Sequence, residues 1–246
     1  MVERIEDLNL NDLDEMGKMN ANLARPKMPE FNDNQLRPAR FSHIVLQTNN
    51  LKPMVDFYMN VVGCKAVWEA PIGAFLTFDD EHHRILIIEN PSLKAKQKNR
   101  NGMVHFAFLF NSLEDLNTAY KRIRDEENIV PAYCENHGFQ IGYYYLDPDG
   151  NECELGCDVF ENHDQLNEYF ASGLFNTQPV GMKFNPDYVA ELIDEGVDPK
   201  HIMENKTYKD IYEPVSFKQL IDEGAMPWFA PYLIKIKNFF SKANSN

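Results

Sequence analysis

The chain has 246 residues, 43% of them apolar and 25% charged, and 38 acidic against 24 basic side chains give a net charge of −14. That balance excludes a general nucleic-acid binder, which relies on dense Lys and Arg, and no apolar run approaches the ~20 residues needed to cross a bilayer. The acidic start Met1-Val2-Glu3-Arg4 lacks the apolar core of a signal peptide, and Cys64, Cys134, Cys153 and Cys157 form no Cys-x-x-Cys pair, so a cytoplasmic protein with reduced thiols is expected.

Residues 1–40 read as a helical arm: Leu10, Leu13, Met16, Met19 and Leu23 have helical spacing before Pro26, Pro29 and Pro38 interrupt it. The periodic part then begins. Phe41 to Thr48 is a predicted strand, Asn50 to Val62 a helix stopped by Gly63, and Ala66 to Ala70, Ala74 to Phe78 and Arg84 to Glu89 three further strands. After a polar, basic connector from Asn90 to Asn101 the same order returns. Met103 to Phe110 is a strand, Leu113 to Glu127 a helix, and Ile129 to Cys134, Gln140 to Leu146 and Glu152 to Cys157 are strands.

This is an internal βαβββ repeat with a period of about sixty residues. The first copy spans 41–90 and the second 102–158, and their first strands match, Phe41-Ser42-His43-Ile44-Val45-Leu46 against Met103-Val104-His105-Phe106-Ala107-Phe108. The expected class is α+β, with the paired modules of residues 41–159 forming a half-open barrel whose inner faces converge on a central site. Residues 160–246 are a mostly helical extension, with helices expected at Asn162–Ala171, Asp187–Glu195, Ser216–Glu223 and Pro231–Lys242 and an extended stretch at Phe175–Phe184. Exposed sheet edges of such modules call for cover, so a homodimer or higher homo-oligomer is expected.

The last two strands of the repeat are joined by Asp147-Pro148-Asp149-Gly150-Asn151, which is turn chemistry and predicts a hairpin. Beyond the turn Glu152, Glu154 and Gly156 share one strand face, which is either a solvated outer face or a fixed source of carboxylate ligands. His43, His105 and Glu154 occupy corresponding places in the repeat: first strand, first strand, last strand. Two imidazoles and a carboxylate that leave coordination positions open suit non-haem Fe(II), with Mn, Ni or Zn as alternatives.

These residues resemble the vicinal-oxygen-chelate superfamily of glyoxalases, bleomycin resistance proteins and extradiol ring-cleaving dioxygenases, over Phe41 to Asp158. The resemblance implies an iron-dependent enzyme that opens a catechol or related hydroxylated aromatic ring with O2. Glu81-His82-His83-Arg84-Ile85-Leu86 looks like the family's segment opening the fourth strand, and His83 takes the place of its acid–base catalyst. Tyr144, ten residues before Glu154, and His137, which stands closer to Tyr144 than the family pattern has it, match two residues that orient the substrate. Trp68, Phe75, Phe78, Phe139 and Tyr143 are the aromatic residues expected to shape the pocket. In the glyoxalase branch a further carboxylate on the fourth strand binds the metal; Glu89 shares strand parity with His83, Ile85 and Ile87, and as a fourth ligand it would point to isomerase or lyase chemistry. A non-enzymatic small-molecule binder is the remaining alternative, and retention of all three ligands speaks against it.

Overall fold

The computed structural model describes Asn34 and residues 36–97, 102–177, 181–204 and 212–214. The helical spacing of Leu10 to Leu23 and the helices expected at Ser216–Glu223 and Pro231–Lys242 lie outside the described residues. What is described divides into two compact units: the first holds residues up to Cys134 together with Gly142–Asp158, the second Glu135–Ile141 and residues from Val159 onward. Among the described residues no helix is long and apolar enough to cross a membrane.

In the first unit the first copy comprises β1 (Ile44–Thr48), α1 (Leu51–Phe57), β2 (Lys65–Ala70), β3 (Gly73–Thr77) and β4 (Ile85–Glu89), in a sheet of order β1-β4-β3-β2. β1 runs parallel to β4 and the other pairs are antiparallel. The chain continues from α1 through a π-helical turn (Tyr58–Val62) and leaves it at Gly63, whose φ of +80° is costly for any residue with a Cβ. Leu46, Ala74, Leu76, Ile85 and Ile87 are buried on the sheet face that carries α1, beneath Met54, Val55, Phe57, Tyr58 and Val61. β1 is shorter than the expected Phe41–Thr48: its ladder with β4 begins at Ile44, so His43 lies just before the strand.

The opposite face of this sheet is open. A β-bulge between Ala66 and Trp68 brings Trp68 rather than Val67 opposite Phe75, and the register then aligns Trp68, Phe75, Leu86 and Val45 in one row across all four strands. Val45 is 48% and Trp68 42% exposed, so this row is an accessible apolar surface.

The second copy comprises β5 (His105–Leu109), α2 (Leu113–Glu127), β6 (Tyr133–Asn136), β7 (Gln140–Leu146) and β8 (Glu152–Asp158). Ser112 caps α2 by accepting the Asp115 N–H at 3.1 Å, acidic Glu114 and Asp115 complement the helix dipole, and Asn128 ends the helix at φ +56°. Leu113, Leu116, Tyr120 and Ile123, on one helical face, are fully buried. β8 lies between β7 and β5, parallel to β5 with His105 opposite Glu152. The two copies are tied by a buried hydrogen bond from the Tyr58 hydroxyl to Asp147 Oδ2 at 2.7 Å and by Asn60 Nδ2 donating to Glu127 Oε2 at 2.6 Å. Asp147 Oδ1 meanwhile accepts the N–H groups of Asp149 and Asn151, closing the expected turn. β6 is shifted from the expected Ile129–Cys134 to Tyr133–Asn136, because Pro131 has no N–H to donate to a ladder.

In the second unit β9 (Met182–Phe184) pairs antiparallel with Glu135 and Asn136 of β6 and with β10 (Tyr212–Pro214). α3 (His163–Ser172) and α4 (Pro186–Asp194) start on Asn162 and Asn185, whose side chains accept the N–H groups of Gln165 and Asp187. α5 (Pro199–Glu204) follows. Fully buried Asn136 ties the unit together: its Nδ2 donates to the Met203 carbonyl at 2.9 Å and to the Tyr212 hydroxyl at 3.0 Å. The stretch expected to be extended from Phe175 instead starts as a helical turn at Leu174–Thr177, and only Met182–Phe184 forms a strand.

Candidate active site

Glu154 lies in the middle of β8, opposite Ala107, with its side chain 2% exposed. A solvated outer face is therefore excluded for it. Its Oε2 is 3.2 Å from His105 Nε2, while Oε1 is buried without a hydrogen-bond partner. Gly142 on β7 makes the room: a methyl group there would run into the Glu154 carboxylate and come within 2.8 Å of the Tyr144 ring. An unsatisfied buried polar atom costs about 1–3 kcal/mol, and more when charged, so a carboxylate held this way favours a cation at its open oxygen. Around this pair Tyr144 sets its ring edge against His105 at 5.4 Å and stacks on Tyr133 at 4.4 Å, and the Tyr133 hydroxyl donates to Glu152 Oε2 at 2.9 Å.

The first copy contributes a cluster of rings. His83 stacks on Phe75 with centroids 4.5 Å apart and planes at 16°, and its ring lies 4.4 Å from that of His43. Nδ1 of His83 is 2.6 Å from Nδ1 of His82, so one proton is shared between those two nitrogens and Nε2 is the atom left to act elsewhere. Burial, followed by the positive charge of neighbouring His43 and His82, lowers the His83 pKa below the ordinary histidine value. His43 has Ser42 Oγ 3.0 Å from its Nδ1. The structure thus brings His105 to Glu154 and His43 to His83; among the described residues no three His, Cys, Asp or Glu side chains are gathered closely enough to hold a metal ion.

His83 precedes β4 and stacks on Phe75, which pairs with Leu86, whereas Ile85 and Ile87 take the α1 side. Glu89 accepts the Leu51 N–H on its Oε2 at 2.9 Å, which satisfies a donor at the start of α1.

The model of the Glyoxalase/Bleomycin resistance protein/Dioxygenase superfamily matches residues 40–155. Over 160 residues the chain is 38% identical to biphenyl-2,3-diol 1,2-dioxygenase 3 of Rhodococcus globerulus, an alignment covering 64% of this chain and 84% of that protein. The chain belongs to this superfamily. A second superfamily relative, biphenyl-2,3-diol 1,2-dioxygenase 2 of the same organism, is 34% identical over 158 residues, with 64% of this chain and 83% of that protein covered. Catechol-2,3-dioxygenase of Bacillus subtilis is 30% identical over 114 residues, 46% of this chain and 39% of that protein. The paired βαβββ order and the two mixed sheets, not closed into one barrel, agree with membership.

His137 belongs to the second unit, with Nε2 3.8 Å from Glu135 Oε2 and its carbonyl accepting from the Tyr169 hydroxyl at 3.2 Å. Phe139, in the same unit, packs on Phe170 and Phe175. Tyr143 is fully buried against Tyr120 of α2, on the core side of β7 rather than in a pocket wall, as alternation with Tyr144 requires. Trp68 and Phe75 do line the open face, and Phe78, 45% exposed, sets its edge against Phe108. Sequence reasoning missed Gly142 and Tyr133. A glycine inside an otherwise aromatic strand is itself a sign of close approach, so Gly142 was open to detection; nothing in the local pattern singles out Tyr133.

Proposed function

We propose that this chain is an extradiol-type dioxygenase that opens the ring of a catechol or related hydroxylated aromatic with O2, using Fe(II) held by His43, His105 and Glu154. The observation that carries the reading is the buried Glu154 carboxylate, one oxygen on His105 and the other without a partner, in a chain 38% identical to a named biphenyl-2,3-diol 1,2-dioxygenase. An imidazole and a dehydrated carboxylate side by side fit a divalent transition metal, and a second imidazole completes a two-His, one-carboxylate set. Iron(II), when bound, supplies the one-electron chemistry that lets O2 react with a closed-shell aromatic ring.

The chain's own groups do the rest. The row of Trp68, Phe75, Leu86 and Val45 offers an apolar wall for the aromatic ring. Tyr144, fixed between His105 and Tyr133, donates its hydroxyl to a substrate oxygen and so sets the diol's orientation. His83 is neutral at neutral pH because its pKa is lowered, and Nε2 accepts the proton that one diol hydroxyl must lose. The same imidazolium returns that proton to an oxygen of the opened product. The proposal gives His137 no part, and Glu89 remains the group that starts α1.

The test is to purify the protein without oxygen, measure bound metal, reload with Fe(II), Ni(II) or Zn(II), and follow O2 uptake with biphenyl-2,3-diol and with catechol. Near-stoichiometric iron, lost in air and restored by Fe(II), with one O2 consumed per diol, is the expected result. Tight nickel or zinc with no O2 uptake would replace the reading with isomerase or lyase chemistry, and protein that binds diols but no metal would leave a binder.

A further inference from the structure

Arg84 follows the proposed acid–base residue directly, and it also brackets the proposed ligand His43. Its carbonyl accepts the Ile44 N–H at 2.9 Å, on one side of His43. On the other side its Nη1 donates to the carbonyls of Phe41 and of Ser42, the latter at 3.0 Å. These carbonyls precede the β1–β4 ladder, which begins at Ile44, so no strand partner is available to them there and the guanidinium takes that place.

The guanidinium is itself fixed. Nε and Nη2 donate to Asp79 Oδ2 at 2.9 and 2.8 Å, leaving Nη1 aimed at the 41–42 carbonyls, and the Arg84 side chain is only 16% exposed. Arg84 in turn holds the Asp79 carboxyl below the usual carboxylate range. Asp79 Oδ1 accepts the Glu81 N–H at 3.1 Å and the Thr77 hydroxyl donates to the Glu81 carbonyl at 2.9 Å, so Asp79, together with Thr77, also closes the loop that presents His82 and His83. An isolated surface ion pair would leave one of its partners loose; here the fork is used at both ends, which is a geometry that only Arg supplies.

We infer that Arg84 is a positioning residue of this site, its guanidinium joining the loop that carries His83 to the segment that carries His43 and holding the two imidazoles 4.4 Å apart as one rigid body. The inference rests on the proposed metal-binding role of His43, and its readout is metal binding in the absence of substrate. Partners that orient metal ligands are typically worth about 10- to 100-fold in affinity.

The experiment titrates metal-free protein with Co(II), reading affinity and the visible d–d spectrum, for wild type, Arg84→Met, Arg84→Lys, Asp79→Asn and His43→Ala, with a thermal melt of each. Arg84→Met is expected to weaken Co(II) by about 10- to 100-fold and to shift the spectrum. Arg84→Lys, which keeps the charge and loses the fork, should recover only part of that loss, and Asp79→Asn should show a smaller drop with an unchanged melt. Wild-type affinity and spectrum in Arg84→Met, with His43→Ala impaired, would overturn the positioning role and leave the ligand assignment standing. Wild-type binding in His43→Ala would instead overturn the ligand assignment. Should Arg84→Met fail to fold, Asp79→Asn decides the matter, and undiminished affinity in that variant counts against the inference.

Discussion

The two βαβββ copies have the same strand order up to β6, yet they bring different chemistry to the candidate site. The first copy offers rings: His43, His82 and Phe75, each against His83, beside an apolar row that stays accessible. The second offers a charge: Glu154, 2% exposed, against His105, on a strand whose residues Cys153 to Cys157 are all buried. What separates them is local. Gly142 in the third strand of one copy opens a cradle for a carboxylate, whereas in the other the loop Asp79–His83, between its third and fourth strands, is pinned by Arg84. A repeated backbone therefore sets where groups meet, while single residues decide whether a half presents a buried carboxylate or a cluster of rings.

The sharpest way to break this division is to remove the charge of the second copy. Glu154→Gln keeps the size of the side chain, and metal content after Fe(II) reloading is expected to fall to background, with O2 uptake lost. Near-stoichiometric metal in that variant would show that the charge resides elsewhere. The matching change in the first copy, His83→Ala, should keep the metal and slow turnover by about 10²–10⁴-fold, the range typical of a positioned acid–base group. Loss of metal together with rate in His83→Ala would erase the distinction between the copies.

Glycine substitutions sharpen it further. Gly142→Ala presses a methyl against the Glu154 carboxylate and the Tyr144 ring, so overpacking of about 1–3 kcal/mol is expected in chemical denaturation, together with weaker metal binding. Gly63→Ala, at φ +80° with nothing within 4 Å, is expected to cost a similar or smaller amount, about 1–2 kcal/mol from the left-handed backbone alone. Its metal affinity should match wild type. Equal metal affinity in the two variants would mean that Gly142 is no cradle.

Most of the frame was legible because helical and strand periods differ and because the repeat supplied a second reading of each element: α2 and β7 fall where apolar spacing put them. The nearness of His105 and Glu154 was legible for the same reason, since the repeat puts them on the first and last strands of one copy, which lie side by side as β5 and β8. What escaped depends on geometry that pattern does not encode. Strand parity carried through Arg84 would place His83 with Ile85, but the ladder starts later and the loop turns the ring onto Phe75. The same parity made Glu89 a ligand candidate, whereas its Oε2 accepts the Leu51 N–H at 2.9 Å. Tyr143 and Tyr144 are adjacent aromatic residues in sequence and lie on opposite faces, one against Tyr120 and one against His105.

The smallest expected effect concerns the support behind Tyr144. Tyr133 stacks on it at 4.4 Å, and its hydroxyl donates to Glu152 Oε2 at 2.9 Å. Tyr133→Phe deletes that bond and keeps the ring, so the loss should be about 0.5–1.5 kcal/mol in denaturation, with the aromatic contact retained. Glu152 is half-buried, so water can take over the vacated carboxylate oxygen and the loss should sit at the low end. Metal affinity is expected to be unchanged, because the space beside the Glu154 carboxylate is left by Gly142, while KM for a catechol rises a few-fold as Tyr144 gains freedom. A drop in metal affinity as large as that of Gly142→Ala would reverse this order of causes: the tyrosine stack would then set the carboxylate, and the second copy would owe its charged pocket to an aromatic brace rather than to a missing side chain.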